Sequence, residues 1–154
     1  MKNEEITDGH YKKAVEGLEE STLQDKDLWY SYILNLPKHL QVTYTVIIFD
    51  QQVFNGGFHQ YFFNTYGQFA YLTIDNLRLI NAFKIADILE QATNLVNADQ
   101  ISLNEFRRKI FDRNFPKIVD FDDELFDVLS DLDDKYYAFD ENLEQLLLDY
   151  LSNH

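Results

Sequence analysis

Val42, Val46, Phe49 and Val53 step by four, three and four residues. That spacing lines all four along one face of an α-helix, which turns once every ~3.6 residues. No stretch alternates apolar and polar residues for long enough to make a half-buried strand. Helix breakers are scarce, with two Pro and five Gly in 154 positions. A chain patterned this way buries its apolar stripes by packing helix on helix. Its length suits one domain that hides about two-thirds of its unfolded surface. The expectation is an all-α fold: a single compact domain over residues 1–154, with about seven or eight helices.

The punctuation divides that domain. Thr7 or Asp8 is expected to cap a first helix that ends near Glu20. Ser21-x-x-Gln24 has capping-box form and is expected to open a second helix, which stops near Asn35, before Pro37. Pro37 suits the first turn of the third. Asn55-Gly56-Gly57 is expected to end that helix, with both glycines at positive φ. A short helix then restarts at Phe58 and runs to about Thr65, where Gly67 closes it. Near Thr73 and Asp75 another helical pattern begins, and Asn81 bends or breaks it. Ser102-x-x-Glu105 is a second capping box, and Pro116 is expected to end its helix. Asp122 to about Phe139 is the next, and Asp140 or Glu141 to Leu151 the last.

Composition narrows the function classes. Apolar residues make up 45% of the chain and aromatics 16%, too much for a disordered segment. The absence of cysteine removes disulfides, thiolate nucleophiles and Cys-ligated metals, and fits a reducing compartment. The first residues, MKNEEITDGHYKK, lack the apolar core of a secretory signal. Apolar runs such as Val46-Ile47-Ile48-Phe49 are far shorter than the ~20 residues of a membrane span. A soluble, cytoplasmic protein is expected.

The formal net charge is −14. Such a surface repels nucleic acid and anionic membranes and attracts a basic partner. The charge is unevenly spread. Residues 118–151 carry twelve acids and one base, Lys135. On a helical projection Leu125, Val128, Leu129, Leu132, Tyr136 and Phe139 share one face. Asp120, Asp123, Glu124, Asp127, Asp131 and Asp134 share the roughly opposite one, while Asp122 and Asp133 flank the core face. Six carboxylates along about 21 Å of helix give one charge per ~3.5–4 Å. One strand of duplex DNA carries one per ~3.4 Å. The same stripe also reads as an ordinary solvated face.

The stretch Asn55-Gly56-Gly57-Phe58-His59-Gln60-Tyr61-Phe62-Phe63-Asn64-Thr65-Tyr66-Gly67 is the other unusual feature. It has neither the spacing of a dinucleotide loop nor that of a phosphate loop. No nucleophile, base and orienting group can be assembled around His59 from the sequence. A structural role is the simpler reading. Phe58, Tyr61, Phe62 and Tyr66 pack inward, while Asn55, Gln60 and Asn64 satisfy backbone groups at helix ends. His59 is read as a partly exposed turn residue.

This stretch also resembles the signature of the DMP-type DNA-mimic family. Downstream, Asn76-Leu77-Arg78-Leu79-Ile80-Asn81-Ala82 resembles the family's Ala-Leu-x-x-Ile-Gly-Ala helix, with Asn81 in place of Gly. Gln52 stands where the family has Glu, and Lys135-Tyr136-Tyr137 resembles its late tyrosine pair. The resemblance spans about Leu28 to Leu151. It implies an all-helical fold. For at least one member it also implies acidic surfaces that imitate duplex DNA and occupy a transcription factor's DNA-binding face.

The leading expectation is therefore a binding protein rather than an enzyme. Its carboxylates at positions 120–134, doubled where the protein forms a homodimer, would occlude the DNA site of a basic DNA-binding protein. No cofactor and no metal are expected. One rival is a small-ligand binder or enzyme with a pocket near His59, Gln60 and Asn64. The other is an interaction or immunity module whose acidity is incidental.

Overall fold

A computed structural model describes residues 3–153. The order is α1 (Asn3–Val15), α2 (Glu20–Leu23), α3 (Lys26–Asn35), α4 (Lys38–Phe63), a 3-10 turn (Tyr66–Phe69), α5 (Ala70–Leu79), α6 (Phe83–Val96), α7 (Leu103–Phe111), α8 (Pro116–Val119), α9 (Asp123–Ala138) and α10 (Leu143–Ser152). The fold is all-α, with no strand among the described residues. No described helix is long and apolar enough to cross a membrane.

Helix α4 is the axis of the molecule. Val42, Val46, Phe49 and Val53, the face read from the sequence, are all fully buried. They sit in the main core with Leu77, Leu89, Phe106, Leu129 and Leu147, contributed by α5, α6, α7, α9 and α10. A second cluster gathers Trp29 and Ile33 of α3 against Tyr44 of α4 and Phe69 of the 3-10 turn. Trp29 Nε1–H donates to the Tyr44 hydroxyl at 3.2 Å, which gives this cluster its one buried polar link between α3 and α4.

Several boundaries differ from the sequence expectation, each for a local reason. Helix α1 starts at Asn3, so Thr7 and Asp8 lie inside it, and Thr7 Oγ1 bonds back to the Glu4 carbonyl. Ser21 lies within the one-turn α2. Asp25 caps the next helix instead, accepting from the Asp27 and Leu28 amides. Pro37 occupies the N-cap of α4, one position before the first turn. Helix α7 ends at Phe111, ahead of Pro116, which opens α8. Asp140 and Glu141 do not start α10, whose N-cap is Asn142.

Other signals correspond closely. Ser102 caps α7 through Glu105 N–H, although the Glu105 carboxylate turns to Arg108 rather than back to the cap. Asn81 separates α5 from α6 at φ 69, a left-handed conformation that Gly adopts freely and Asn tolerates.

Gly56 and Gly57 interrupt α4 with non-helical backbone, and helix resumes at Phe58. Only Gly57 has positive φ, at 78. Gly56, at φ −161, is extended rather than left-handed, contrary to the expectation for both. Its Cα faces the Gln60 side chain, where a Cβ would collide.

Candidate functional site

The break in α4 frees backbone groups that an unbroken helix would pair, and α9 satisfies two of them. Phe58 N–H donates to Asp133 Oδ1 at 2.8 Å. The Tyr137 hydroxyl donates to the Val53 carbonyl at 2.8 Å. Between them, Tyr136 lays its ring against Phe49 and Phe58, and its hydroxyl donates to the Asp50 carboxylate. A Cβ at Gly57 would land on the Asp133 carboxylate, so glycine is required there by space as well as by φ. Burial raises the Asp133 carboxyl above its ordinary range, against the bond from Phe58.

The polar residues of the glycine-rich stretch do not converge on one space. His59 is 6% exposed, which corrects its reading as a partly exposed turn residue. Its Nε2–H donates to the Ile118 carbonyl at 2.9 Å, and its ring packs on Phe121, Phe126 and Phe63. Burial lowers its pKa, opposed by that carbonyl. Gln60 and Asn64 bond a side chain rather than backbone. Both amides donate to Gln52 Oε1, at 3.3 and 3.0 Å, and so brace the kinked helix across its break. A Glu at position 52 would accept the same two bonds. Phe58, Tyr61 and Phe62 are buried as expected, Tyr66 is half-buried, Asn55 is exposed, and Gly67 packs against Phe62.

The acids of the C-terminal quarter fall into two groups. The first holds the fold together. Asp122 caps its own helix, accepting from Leu125 N–H at 3.0 Å. Asp133 caps the second half of α4. Glu141 caps α6, accepting from Ile85 and Lys84 N–H at 2.9 and 3.1 Å, and Asp140 pairs with Lys84 Nζ at 3.0 Å. Asp149 accepts from Gln145. Three helix N-termini are thus stabilised by carboxylates, where orphan amides and the helix dipole both favour negative charge.

The second group consists of Asp120, Asp123, Glu124, Asp127, Asp131, Asp134 and Glu144. All are exposed. None makes an ion pair or a side-chain hydrogen bond with another described residue. The six residues singled out from the sequence all belong here. Asp120 is not on the same helix as the rest. It caps the end of α8, and Phe121 turns the chain at φ 52 before α9 begins. Five carboxylates therefore project from α9 itself, within an arc of about 100° and a rise of about 16 Å, or one per ~4 Å. Lys135 is the one basic residue on the helix.

A side chain's freedom from partners matters for binding. Asp133 or Glu141 could reach a ligand only by abandoning a helix end. The exposed group can meet a partner without that loss, and its carboxylates repel one another until something cationic arrives.

No curated protein and no solved structure matches the chain. A family model described as DMP19-like protein matches residues 34–154, which span the kinked helix, the Asn81 turn and the Tyr136-Tyr137 pair. The chain belongs to the DMP19-like protein family.

Proposed function

We propose that the protein is a DNA mimic: the outer face of α9, with Asp120 beside it, occupies the DNA-binding surface of a basic protein such as a transcription factor. The observation that carries this reading is the division of labour among the acids. Those that the fold needs are bonded, and those along the outer face of α9 have no described ion-pair or hydrogen-bond partner. Their spacing of about 4 Å is close to the ~3.4 Å of charges along one DNA strand. A homodimer would double the face. The mechanism is competitive occlusion, with no chemistry and no cofactor.

The test replaces Asp123, Asp127, Asp131 and Asp134 by Asn together, removing four charges and almost no volume. Wild-type protein immobilised in native lysate should capture a basic DNA-binding protein, and added duplex DNA should release it. The four-Asn variant should capture at least about tenfold less, and wild-type capture should weaken steeply with salt. Equal capture by the two proteins at the same salt would refute a mimic built on this face.

A further inference from the structure

Away from that face, two adjoining cavities share Asp50, Leu143 and Glu144. One, of about 330 Å³, lies between α1, α4 and α10 and is edged by Glu4, Asp8, Asp50 and Glu144. The other, of about 430 Å³, is walled by Phe54, Tyr136, Tyr137 and Phe139. Among the described residues, no lysine, arginine or histidine lines either one.

The second cavity has the makings of a cation site that is not a metal site. Phe54 and Tyr137 are 62% and 48% exposed, with ring centres 5.6 Å apart. Tyr136 completes a group of three rings, 5.9 Å from each of the others. Their neighbouring acids are not equivalent. Asp140 and Glu141 are engaged by Lys84 and by the start of α6. Asp50 is half-buried and fixed by the Tyr136 hydroxyl, while Glu144 is exposed and bonds no other described side chain. No described group of three His, Cys, Asp or Glu side chains is placed to hold a metal ion. Aromatic faces beside carboxylates, with Lys84 held on Asp140 and no described base among the lining residues, suit a guanidinium or an alkylammonium group.

We infer that the groove between α4, α9 and the start of α10, walled by Phe54, Tyr136 and Tyr137 and closed by Asp50 and Glu144, binds an organic cation. The cation is either the arginine or lysine side chain of a protein or a free polyamine. This site does not depend on the outer face of α9. None of the five α9 carboxylates of that face lines the groove. Asp134 alone among them acts on one of its walls, Tyr137, so the two can fail separately through Asp123, Asp127 and Asp131.

Titration of the full-length protein with L-arginine methyl ester and, separately, with spermidine tests it, followed by the aromatic NMR signals of Phe54 and Tyr137. Saturable shifts at both rings are expected. Affinity should fall roughly three- to fivefold in Glu144→Gln and in Phe54→Leu, the scale of one exposed cation–π or ionic contact. Both positions are exposed, and thermal melts establish that the variants fold. A variant with Asn at 123, 127 and 131, which keeps Asp134 beside Tyr137, should bind as wild type does. Preference for spermidine identifies a free polyamine, and preference for the arginine ester a protein side chain. Absence of saturable shifts for both probes overturns the site. So does equal binding by wild type, Glu144→Gln and Phe54→Leu, or an equal loss in the variant with Asn at 123, 127 and 131, which would make the cation a response to overall charge.

Discussion

His59 is buried, its Nε2–H committed to the Ile118 carbonyl and its ring to Phe121. The sequence reads it instead as a partly exposed turn residue. Burial disfavours the imidazolium, so the folded-state pKa lies below the ordinary value of 6.5. A depressed pKa means that the unfolded chain binds the proton more readily. The stability that neutral His59 supplies is present above about pH 6.5 and is lost as the pH falls through the lower folded value. Asp50 and Asp133 act in the opposite sense. Burial raises both, so acidification towards the ordinary carboxylate range favours the folded state through them. Comparison with His59→Gln isolates the histidine. The stability advantage of wild type over this variant, measured by urea unfolding, should shrink as the pH is lowered from about 7.5 towards 5.5. An advantage that stays constant across that window would mean that His59 titrates alike in both states.

At the scale of elements, α4 and α9 are one unit, because α9 repairs what the glycines break. Gly57→Ala forces a Cβ to positive φ and against the Asp133 carboxylate, and should cost about 1–3 kcal/mol. Asp133→Ala leaves Phe58 N–H without its acceptor and should cost a similar amount, about 1–3 kcal/mol. In the double variant the collision is gone, so the two losses should sum to less than their separate values, by thermal or urea unfolding. Strict additivity would mean that Gly57 and Asp133 do not meet. This pairing also marks the limit of what the sequence discloses. The break at Gly57, the cap at Ser102, the helix start near Asp122 and the turn at Asn81 were legible, because each is set by residues within four positions. The partners of Phe58 and Val53 lie 75 and 84 residues away. Periodicity places Asp133 at the edge of the core face of α9, which hints that it is not simply solvated. Only the packing of α9 on α4 identifies what it holds. The groove at Phe54 and Tyr137 was illegible for the same reason, since its walls come from separate helices. The exposed carboxylates were legible because their site is one helix face, which rotation alone defines. Asp120 was misplaced on that helix because nothing in its local sequence announces the left-handed Phe121.

For the whole molecule, the formal charge of −14 acts as a field rather than as a set of contacts. Residues 118–151 contribute twelve of its carboxylates, of which the six on and beside the outer face of α9 have no described cation to neutralise them. Folding brings these charges closer together than they lie in the extended chain, so their repulsion opposes folding. Salt shortens its reach, from about 30 Å at 0.01 M to about 10 Å at 0.1 M. The melting temperature of wild type should therefore rise between about 10 and 150 mM NaCl. With Asn at 127, 131 and 134, beyond the first turn where the helix dipole favours Asp123, the protein should melt higher at low salt, since each relieved like-charge pair returns a few tenths of a kcal/mol, and its rise with salt should be smaller. A complex with a basic partner must respond the other way, because the same screening weakens attraction across the interface. Salt that steadies the free protein while loosening its complex is the joint signature of a charged face kept open for a partner. A melting temperature that is flat or falling over this range, and the same in both proteins, would mean that the carboxylates are compensated within the fold, which would leave the α9 face no excess charge to offer.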